Sequence, residues 1–338
     1  MLKDLQPAGL TFACHDCHML PRKVDLIRPI CAAIIIAIVG FLPIGNRTPI
    51  ADAGSPRSAG QFTNQNPRCL TLPEPNSQAC PPGSPTLSAV SPLGDYATTP
   101  NGTVYKSGLP IATGINPAAP IIGVTLRWGD TSGYWLAGSD GGVFSLGGAP
   151  YYGSMGGKAL NAPIVGIAST LSGGGYWLVA ADGGVFAFGD AAFEGSMGGR
   201  HLNAPITSIT SGGNGVGYYL VGADGGVFAF GGGKFYGSMA GRALNGAVVG
   251  ITPTGDLSTP TEAVLGSGYV LAGSDGGIFA FGNAPFDGSL VGTSRTPVVG
   301  LFTIEDPCHP TDLGYLVPDL VMSDGTIYGP LPGNCSGY

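Results

Sequence analysis

The stretch Gly175-Tyr176-Trp177-Leu178-Val179-Ala180-Ala181-Asp182-Gly183-Gly184-Val185-Phe186-Ala187-Phe188-Gly189 decides the fold. Large side chains alternate along 175–180 and again along 184–189, which is the period-two pattern of strands. Between them, Asp182-Gly183-Gly184 is a strong hairpin signal, because glycine tolerates the positive φ that a primed turn demands. Working outward, Pro163-Ile164-Val165-Gly166-Ile167 precedes this hairpin, and Phe193-Glu194-Gly195-Ser196-Met197-Gly198-Gly199-Arg200-His201-Leu202-Asn203 follows it. Residues 163–169, 175–180, 184–189 and 193–199 are therefore predicted as strands a, b, c and d of one unit.

The unit repeats. Asp140, Asp182 and Asp224 are 42 residues apart, and Asp275 and Asp324 follow at intervals of 51 and 49. Self-similarity of this period means a solenoid, an array or a propeller. First strands are placed near Thr86, Ile121, Ile164, Ile206, Ala247 and Val298. The matching b–c turns are Asn101-Gly102, Asp140-Gly141, Asp182-Gly183, Asp224-Gly225, Asp275-Gly276 and Asp324-Gly325. The predicted class is all-β: a β-propeller of about six four-stranded blades over 85–338, with the first and last blades degenerate. A parallel β-helix is the alternative, but its coils are shorter and it needs caps, whereas a closed ring shields the strand edges. The two longer intervals arise from insertions at 253–267 and 305–313, both between strands a and b and so on one rim.

Composition agrees. The 338 residues include 60 Gly and 29 Pro and only 10% are charged, so helix-building residues are scarce and tight turns abundant. Beyond residue 53 the chain carries nine basic and seventeen acidic side chains, which argues against a nucleic-acid partner. Residues 1–53 read as an export signal with an extended leader: Arg22, Lys23 and Arg28 precede an apolar run at 30–43, and Ala51-Asp52-Ala53 supplies a small-x-small cleavage site. Met19 offers an alternative start. The run of 14 residues is short of the roughly 20 that span a bilayer, so the reading is a secreted or cell-surface protein, with an uncleaved anchor as the alternative and the one expected membrane attachment. Cys14-His15-Asp16-Cys17-His18 matches a haem-attachment motif but precedes the signal's apolar core, so no haem, metal or other cofactor is read from it.

Residues 54–84, rich in Pro, Ser, Asn and Gln, read as a linker. Past the leader the cysteines are Cys69, Cys80, Cys308 and Cys335, an even number suited to an oxidising compartment. Three pairings are open. Proximity favours Cys69 with Cys80 and Cys308 with Cys335, the second tying the last a–b loop to the last d strand.

The copies at 175–189 and 268–282 resemble a repeat abundant in exported proteins of actinobacteria, including mycobacteria, and their strand, Asp-Gly turn and aromatic-ended strand are similar to blades of WD40 and quinoprotein-type propellers. The resemblance covers about 85–330 and implies a propeller at the cell envelope without implying an activity. The repeat sometimes accompanies cell-wall hydrolase domains; none is read in this sequence.

Two sets of side chains are candidates for binding. Asp140, Asp182, Asp224, Asp275 and Asp324 are expected on one rim with Lys158, Arg200 and Arg242 and with Asn161, Asn203 and Asn245. Either these residues fix turns and bond neighbouring backbone, or they form a glycan or cation site near the central channel. Among the aromatics, Tyr134, Trp135, Tyr176, Trp177, Tyr218, Tyr219 and Tyr269 in strand b, with Phe144, Phe186, Phe228 and Phe279 in strand c, are expected between blades. Tyr151, Tyr152, Phe193, Phe235, Tyr236 and Phe286 in strand d are the candidates for stacking on sugar rings. Catalytic signatures are missing: the histidines beyond the leader, His201 and His309, lie in no nucleophile motif, and Gly153-Ser154-Met155-Gly156-Gly157-Lys158 lacks phosphate-loop spacing. The expected function is a monomeric, non-catalytic interaction or carbohydrate-binding propeller whose partner is a cell-wall glycan or another envelope protein. A glycan-acting or ester-hydrolysing enzyme built from rim carboxylates is the alternative.

Overall fold

The computed structural model describes residues 68–69, 80, 84, 86–91, 96–106, 109–212, 215, 217–256, 264–284, 286, 288–291, 296–305 and 316–329. All lie in the second of the chain's two units, Asp52–Tyr338. The expected export signal, its haem-like motif and apolar run, and the Cys308–Cys335 pairing fall outside the described residues.

Among the described residues the structure is all-β, arranged as six antiparallel sheets. In chain order the strands are β1 (Arg68–Cys69); β2 to β5 (Ala89–Val90, Tyr96–Thr98, Val104–Lys106, Leu109–Ile111); β6 to β8 (Ile121–Arg127, Asp130–Gly138, Val143–Leu146); β9 to β11 (Ile164–Ser169, Gly175–Ala180, Val185–Gly189); β12 to β14 (Ile206–Ser211, Tyr218–Gly222, Val227–Phe230); β15 to β17 (Val248–Asp256, Val264–Gly273, Ile278–Gly282); and β18 to β20 (Val298–Glu305, Leu316–Met322, Thr326–Tyr328). Each group forms one blade, and β1 joins the last.

The first strands close a ring. Strands β2, β6, β9, β12, β15 and β18 each touch the next, and β18 touches β2. One residue of each b–c turn cements the cycle: the carbonyls of Pro100, Ser139, Ala181, Ala223, Ser274 and Ser323 accept from the backbone N–H of Ile121, Ile164, Ile206, Val248, Val298 and Leu87, each at the start of the next blade. The last of these bonds, Leu87 N–H to Ser323 O at 2.8 Å, joins blade six to blade one. Five of the same residues, Pro100 having no N–H, donate back to the residue before their own first strand, as Ala181 does to Pro163 O at 2.9 Å.

Small residues let the inner strands approach. A Cβ on Gly123 would lie 2.8 Å from Ile167 Cγ2, on Gly250 2.7 Å from Leu301 Cδ2, and on Gly300 2.7 Å from Val90 Cγ2. The glycine in Pro163-Ile164-Val165-Gly166-Ile167 and its copies is thus where one blade's apolar side chain enters its neighbour. The β-propeller follows from this cycle.

Two expectations are corrected. Four of the six sheets have three strands rather than four; in blades two to four, segments 150–156, 192–198 and 234–240 do not join the ladder. Apart from one backbone bond each, from Met155, Met197 or Met239 N–H to the b–c turn, side chains hold these edge segments. The hydroxyl of Tyr176 donates to Gly153 O at 2.6 Å and accepts from Tyr152 N–H at 3.2 Å, so a tyrosine of blade three grips the edge of blade two. Tyr218 does the same to Glu194 N–H and Gly195 O, and Tyr269 to Tyr236 N–H and Gly237 O. From within the same blade, Trp135 Nε1 donates to Pro150 O at 2.8 Å and Trp177 Nε1 to Ala192 O at 2.7 Å. The Tyr-Trp pair at the start of strand b is therefore a two-sided clip that satisfies edge carbonyls and amides without a fourth strand.

The second correction concerns 54–84, read as a linker. Arg68 and Cys69 pair with Ile327 and Thr326 and supply the outer strand of the last sheet. Cys69 and Cys80 form the expected disulfide, and Cys80 N–H donates to Thr326 Oγ1 at 3.2 Å. A two-residue strand in a Pro- and Ser-rich stretch leaves no readable periodicity. The insertions do fall between strands a and b, but much of the first lengthens the hairpin: Pro253 pairs with Tyr269 and Asp256 with Val264.

Candidate binding surface

The predicted rim residues are brought to one rim. Met155 N–H donates to Gly141 O at 2.9 Å and Ile164 N–H to Ser139 O at 3.0 Å, which joins the d–a connection to the b–c turn; the same bonds recur one and two repeats later. The aspartates on this rim hold their own turns. Oδ1 of Asp140, Asp182 and Asp224 accepts from the backbone N–H two residues ahead at 2.9 Å in each case. Asp275 accepts from Gly277 N–H at 3.0 Å and Asp324 from Thr326 N–H at 2.9 Å. Asn101 takes the same position in blade one, accepting from Thr103 N–H. Side-chain acceptors of this kind favour the turn geometry that the following glycine permits. Lys158, Arg200 and Arg242 are exposed on the rim, as are Asn161, Asn203 and Asn245.

The central channel is a separate space. It has a volume of about 260 Å³ and is lined by the six inner strands, with half-buried Ser88, Ile122, Val165, Thr207, Val249 and Val299 among its side chains. None of the rim aspartates, lysine, arginines or asparagines lines it. Thr207 Oγ1 is occupied by the carbonyls of Val248 at 2.9 Å and Val221 at 3.2 Å. Among the described residues, no group of three or more His, Cys, Asp or Glu side chains is disposed to hold a metal ion.

The b-strand aromatics are buried and pair across blade interfaces. Ring centroids are 5.2 Å apart for Tyr96 and Tyr134, 5.3 Å for Trp135 and Tyr176, 5.3 Å for Trp177 and Tyr218, and 5.2 Å for Tyr219 and Tyr269. Burial pushes the phenols of Tyr219 and Tyr269 up to about 12 and raises those of Tyr134, Tyr176, Tyr218 and Tyr236. Phe144, Phe186, Phe228 and Phe279 are half-buried against the same clusters.

The edge-segment aromatics divide into two groups. Tyr152, Tyr236 and Phe286 pack partly buried against interblade clusters. Tyr151, Phe193 and Phe235 are 60%, 61% and 55% exposed, and they occupy the same position of three successive repeats. Each follows the c–d turn on the outer edge of its blade. Tyr151 OH donates to Ser154 Oγ at 3.1 Å.

Polar groups absent from the repeat pattern gather on the opposite, a–b rim of blades two and three. Arg127 and Asp130 form an ion pair at 3.3 Å. The Asp130 carboxyl, which also accepts from Ser132 Oγ and Ser132 N–H, is held below the usual carboxylate range chiefly by those two bonds. Arg127 Nε donates to Gly173 O of the next blade at 3.3 Å. In that blade Asp190 accepts from Thr170 Oγ1 at 3.0 Å and from Ser172 Oγ. Repeat logic passes over these residues, because Asp130 and Asp190 have no counterparts 42 positions away.

No protein-family model matches the chain, and no curated protein matches it. Solved structures similar to it include a crystal structure of BBS1N in complex with ARL6DN soaked with mercury, at 13% identity over 71% of this chain and 75% of that one, with a TM-score of 0.44. The same complex soaked with lead gives 11% identity over 69% and 72% of the two chains, with a TM-score of 0.42.

Proposed function

We propose that the chain is an exported, non-catalytic interaction propeller of the cell envelope that binds carbohydrate on its outer surface, and that the clipped edge segments complete six four-element blades. The observation that carries the reading is the use of the rim carboxylates. Five aspartates in equivalent positions each accept from their own turn, and none reaches the channel, so the repeated acidic ring acts as a structural device. On the outer edge of blades two to four the repeat presents Tyr151, Phe193 and Phe235 to solvent. The alternative, an enzyme using rim carboxylates, requires a pair of acidic groups facing a common pocket, and the geometry of the channel offers it none. Export is supported by the leader at 1–53 and by the Cys69–Cys80 disulfide. The resemblance to actinobacterial repeat proteins adds to the envelope reading.

The test is sedimentation of the purified chain with insoluble peptidoglycan and affinity electrophoresis in gels containing arabinogalactan. The expected result is retention by at least one polymer. Free migration through all of them, by protein shown to be folded, removes the carbohydrate reading.

A further inference from the structure

We propose that Tyr151, Phe193 and Phe235 are three equivalent platforms, one on each of three consecutive blades, that stack on sugar rings of a single extended, uncharged polysaccharide. The proposal rests on the carbohydrate reading above and names the site at which it operates.

Its first support is that the exposure is systematic. The large apolar side chains exposed among the described residues are Leu109, Trp128, Tyr151, Phe193, Phe235 and Val291, and half of them occupy this one repeat position. The backbone beneath each ring is fixed rather than free to fold the ring inward. The residue after each ring is gripped by a tyrosine of the next blade, through Tyr152 N–H, Glu194 N–H and Tyr236 N–H respectively. The following glycine sits at φ 132°, 128° and 133°, with Phe188, Phe230 or Phe281 of the next blade so close that a Cβ would lie 2.6–2.8 Å away. Each ring is thus held outward by contacts that bury its neighbours.

The surroundings choose the class of partner. A protein partner of ordinary affinity covers about 800 Å² of largely continuous surface on each side, whereas here single rings stand on separate blades, each two residues from a Gly-Ser pair (Gly153-Ser154, Gly195-Ser196, Gly237-Ser238), with exposed charges of opposite sign, Glu194 and Lys234, beside the second and third. Anionic polymers and lipid surfaces are disfavoured by the acidic excess of nine basic against seventeen acidic residues beyond position 53. A sugar ring needs less. Its C–H face covers one aromatic ring, and its hydroxyls bond small polar neighbours such as Ser154, already 3.1 Å from the Tyr151 hydroxyl. Equivalent platforms at a regular 42-residue interval suit a ligand that itself repeats, because each later contact is then intramolecular.

The experiment measures retention by arabinogalactan as the uncharged polymer, with peptidoglycan, whose stem peptides carry carboxylates, as the charged comparison, for the native chain, for Tyr151→Ala, Phe193→Ala and Phe235→Ala singly and together, and for Phe193→Trp. All these side chains are exposed, so unchanged melting curves establish that each variant is folded. Each single alanine is expected to weaken polymer binding about tenfold, corresponding to about 1.4 kcal/mol, the triple variant is expected to abolish retention, and Phe193→Trp to keep it. A disaccharide, which engages one platform at a time, is expected to lose only about a third of its sites per alanine. Retention of the triple variant at the native level overturns the proposal while leaving the carbohydrate reading intact. Absence of native binding to either polymer overturns both.

Discussion

Replacing Tyr176 by Phe removes one oxygen from the centre of the blade two to blade three interface and keeps the ring. That oxygen donates to Gly153 O at 2.6 Å and accepts from Tyr152 N–H at 3.2 Å. Its loss leaves a donor and an acceptor of the blade-two edge without their partner. Each bond contributes about 1 kcal/mol net, and a group left buried without water costs more. Both groups lie at half-buried residues, where water recovers part of the loss, so about 2 kcal/mol is expected. For a domain of this size 1 kcal/mol moves the melting temperature by about 2–4 °C, which places the variant about 4–8 °C below the native chain. Calorimetry measures the shift, and hydrogen exchange locates it: the Tyr152 amide is expected to lose protection while amides of β9 and β10 keep theirs. Tyr218→Phe and Tyr269→Phe act at separate interfaces and are expected to add to the first within about 0.5 kcal/mol. A Tyr176→Phe melting temperature within 1 °C of the native value, or exchange that accelerates equally in β10, would refute the clip.

Gly300→Ala is expected to lower the denaturation midpoint by the equivalent of about 1–2 kcal/mol, since its Cβ would lie 2.7 Å from Val90 Cγ2 where blade six meets blade one; an unchanged midpoint contradicts that close approach. Reducing Cys69–Cys80, which closes a loop of separation 11, is expected to cost about 3 kcal/mol, read as a drop in melting temperature on adding a thiol reductant. Asp182→Asn keeps the oxygen that accepts from Gly184 N–H and is expected to melt as the native chain does, whereas Asp182→Ala should lose about 1 kcal/mol; equal effects of the two would argue for a role of the charge. Alkali should unfold the chain over a defined window. Unfolded tyrosine ionises near pH 10, whereas Tyr219 and Tyr269 stay neutral in the fold to about 12, so the unfolded state releases protons first and stability, unaffected below about pH 10, falls from about 10 to about 12. Ultraviolet titration of the phenols alongside circular dichroism checks this, and a stability flat across that window counts against their burial.

The parts of the fold that were legible in the sequence are those where one residue type is required by backbone geometry. The Asp-Gly turns showed because Gly141, Gly183, Gly225, Gly276 and Gly325 adopt φ between 73° and 87°, and the register followed from their spacing. Burial of the Tyr-Trp pair was legible from strand alternation, but its division of labour was not, since a hydroxyl that satisfies the previous blade looks in sequence like any packed tyrosine. The same ambiguity concealed the edge segments: Phe193-Glu194-Gly195-Ser196-Met197 has the length and composition of a strand, and only the bonds from Tyr218 and Trp177 show that side chains hold Ala192, Glu194 and Gly195. On the candidate surface, sequence reasoning grouped Tyr151 with Tyr152 and Phe235 with Tyr236. Which of two adjacent aromatics faces water depends on which neighbour the clip pulls inward.

Blade six shows what happens where the clip is lost. In register with Tyr176 and Trp177 it carries Pro318 and Asp319, so it has no hydroxyl to offer the edge of blade five and no indole N–H to offer its own. The aromatic pairs that span the first four interfaces accordingly have no counterpart in blade six, whose residue at the second position, Asp319, is a buried carboxylate. This is the blade that takes its outer strand from Arg68–Cys69, by backbone pairing with β20, and that is held to Cys80 through Thr326. Asp319 stands where an indole would hold the edge of its own blade, and backbone bonds from Arg68–Cys69 hold the edge of blade six instead. The disulfide then confines that strand to a short loop at the edge of blade six. On this argument the 54–84 stretch cannot be trimmed to the first repeat without opening blade six, whereas in blades two to four the edge depends only on residues within the repeats.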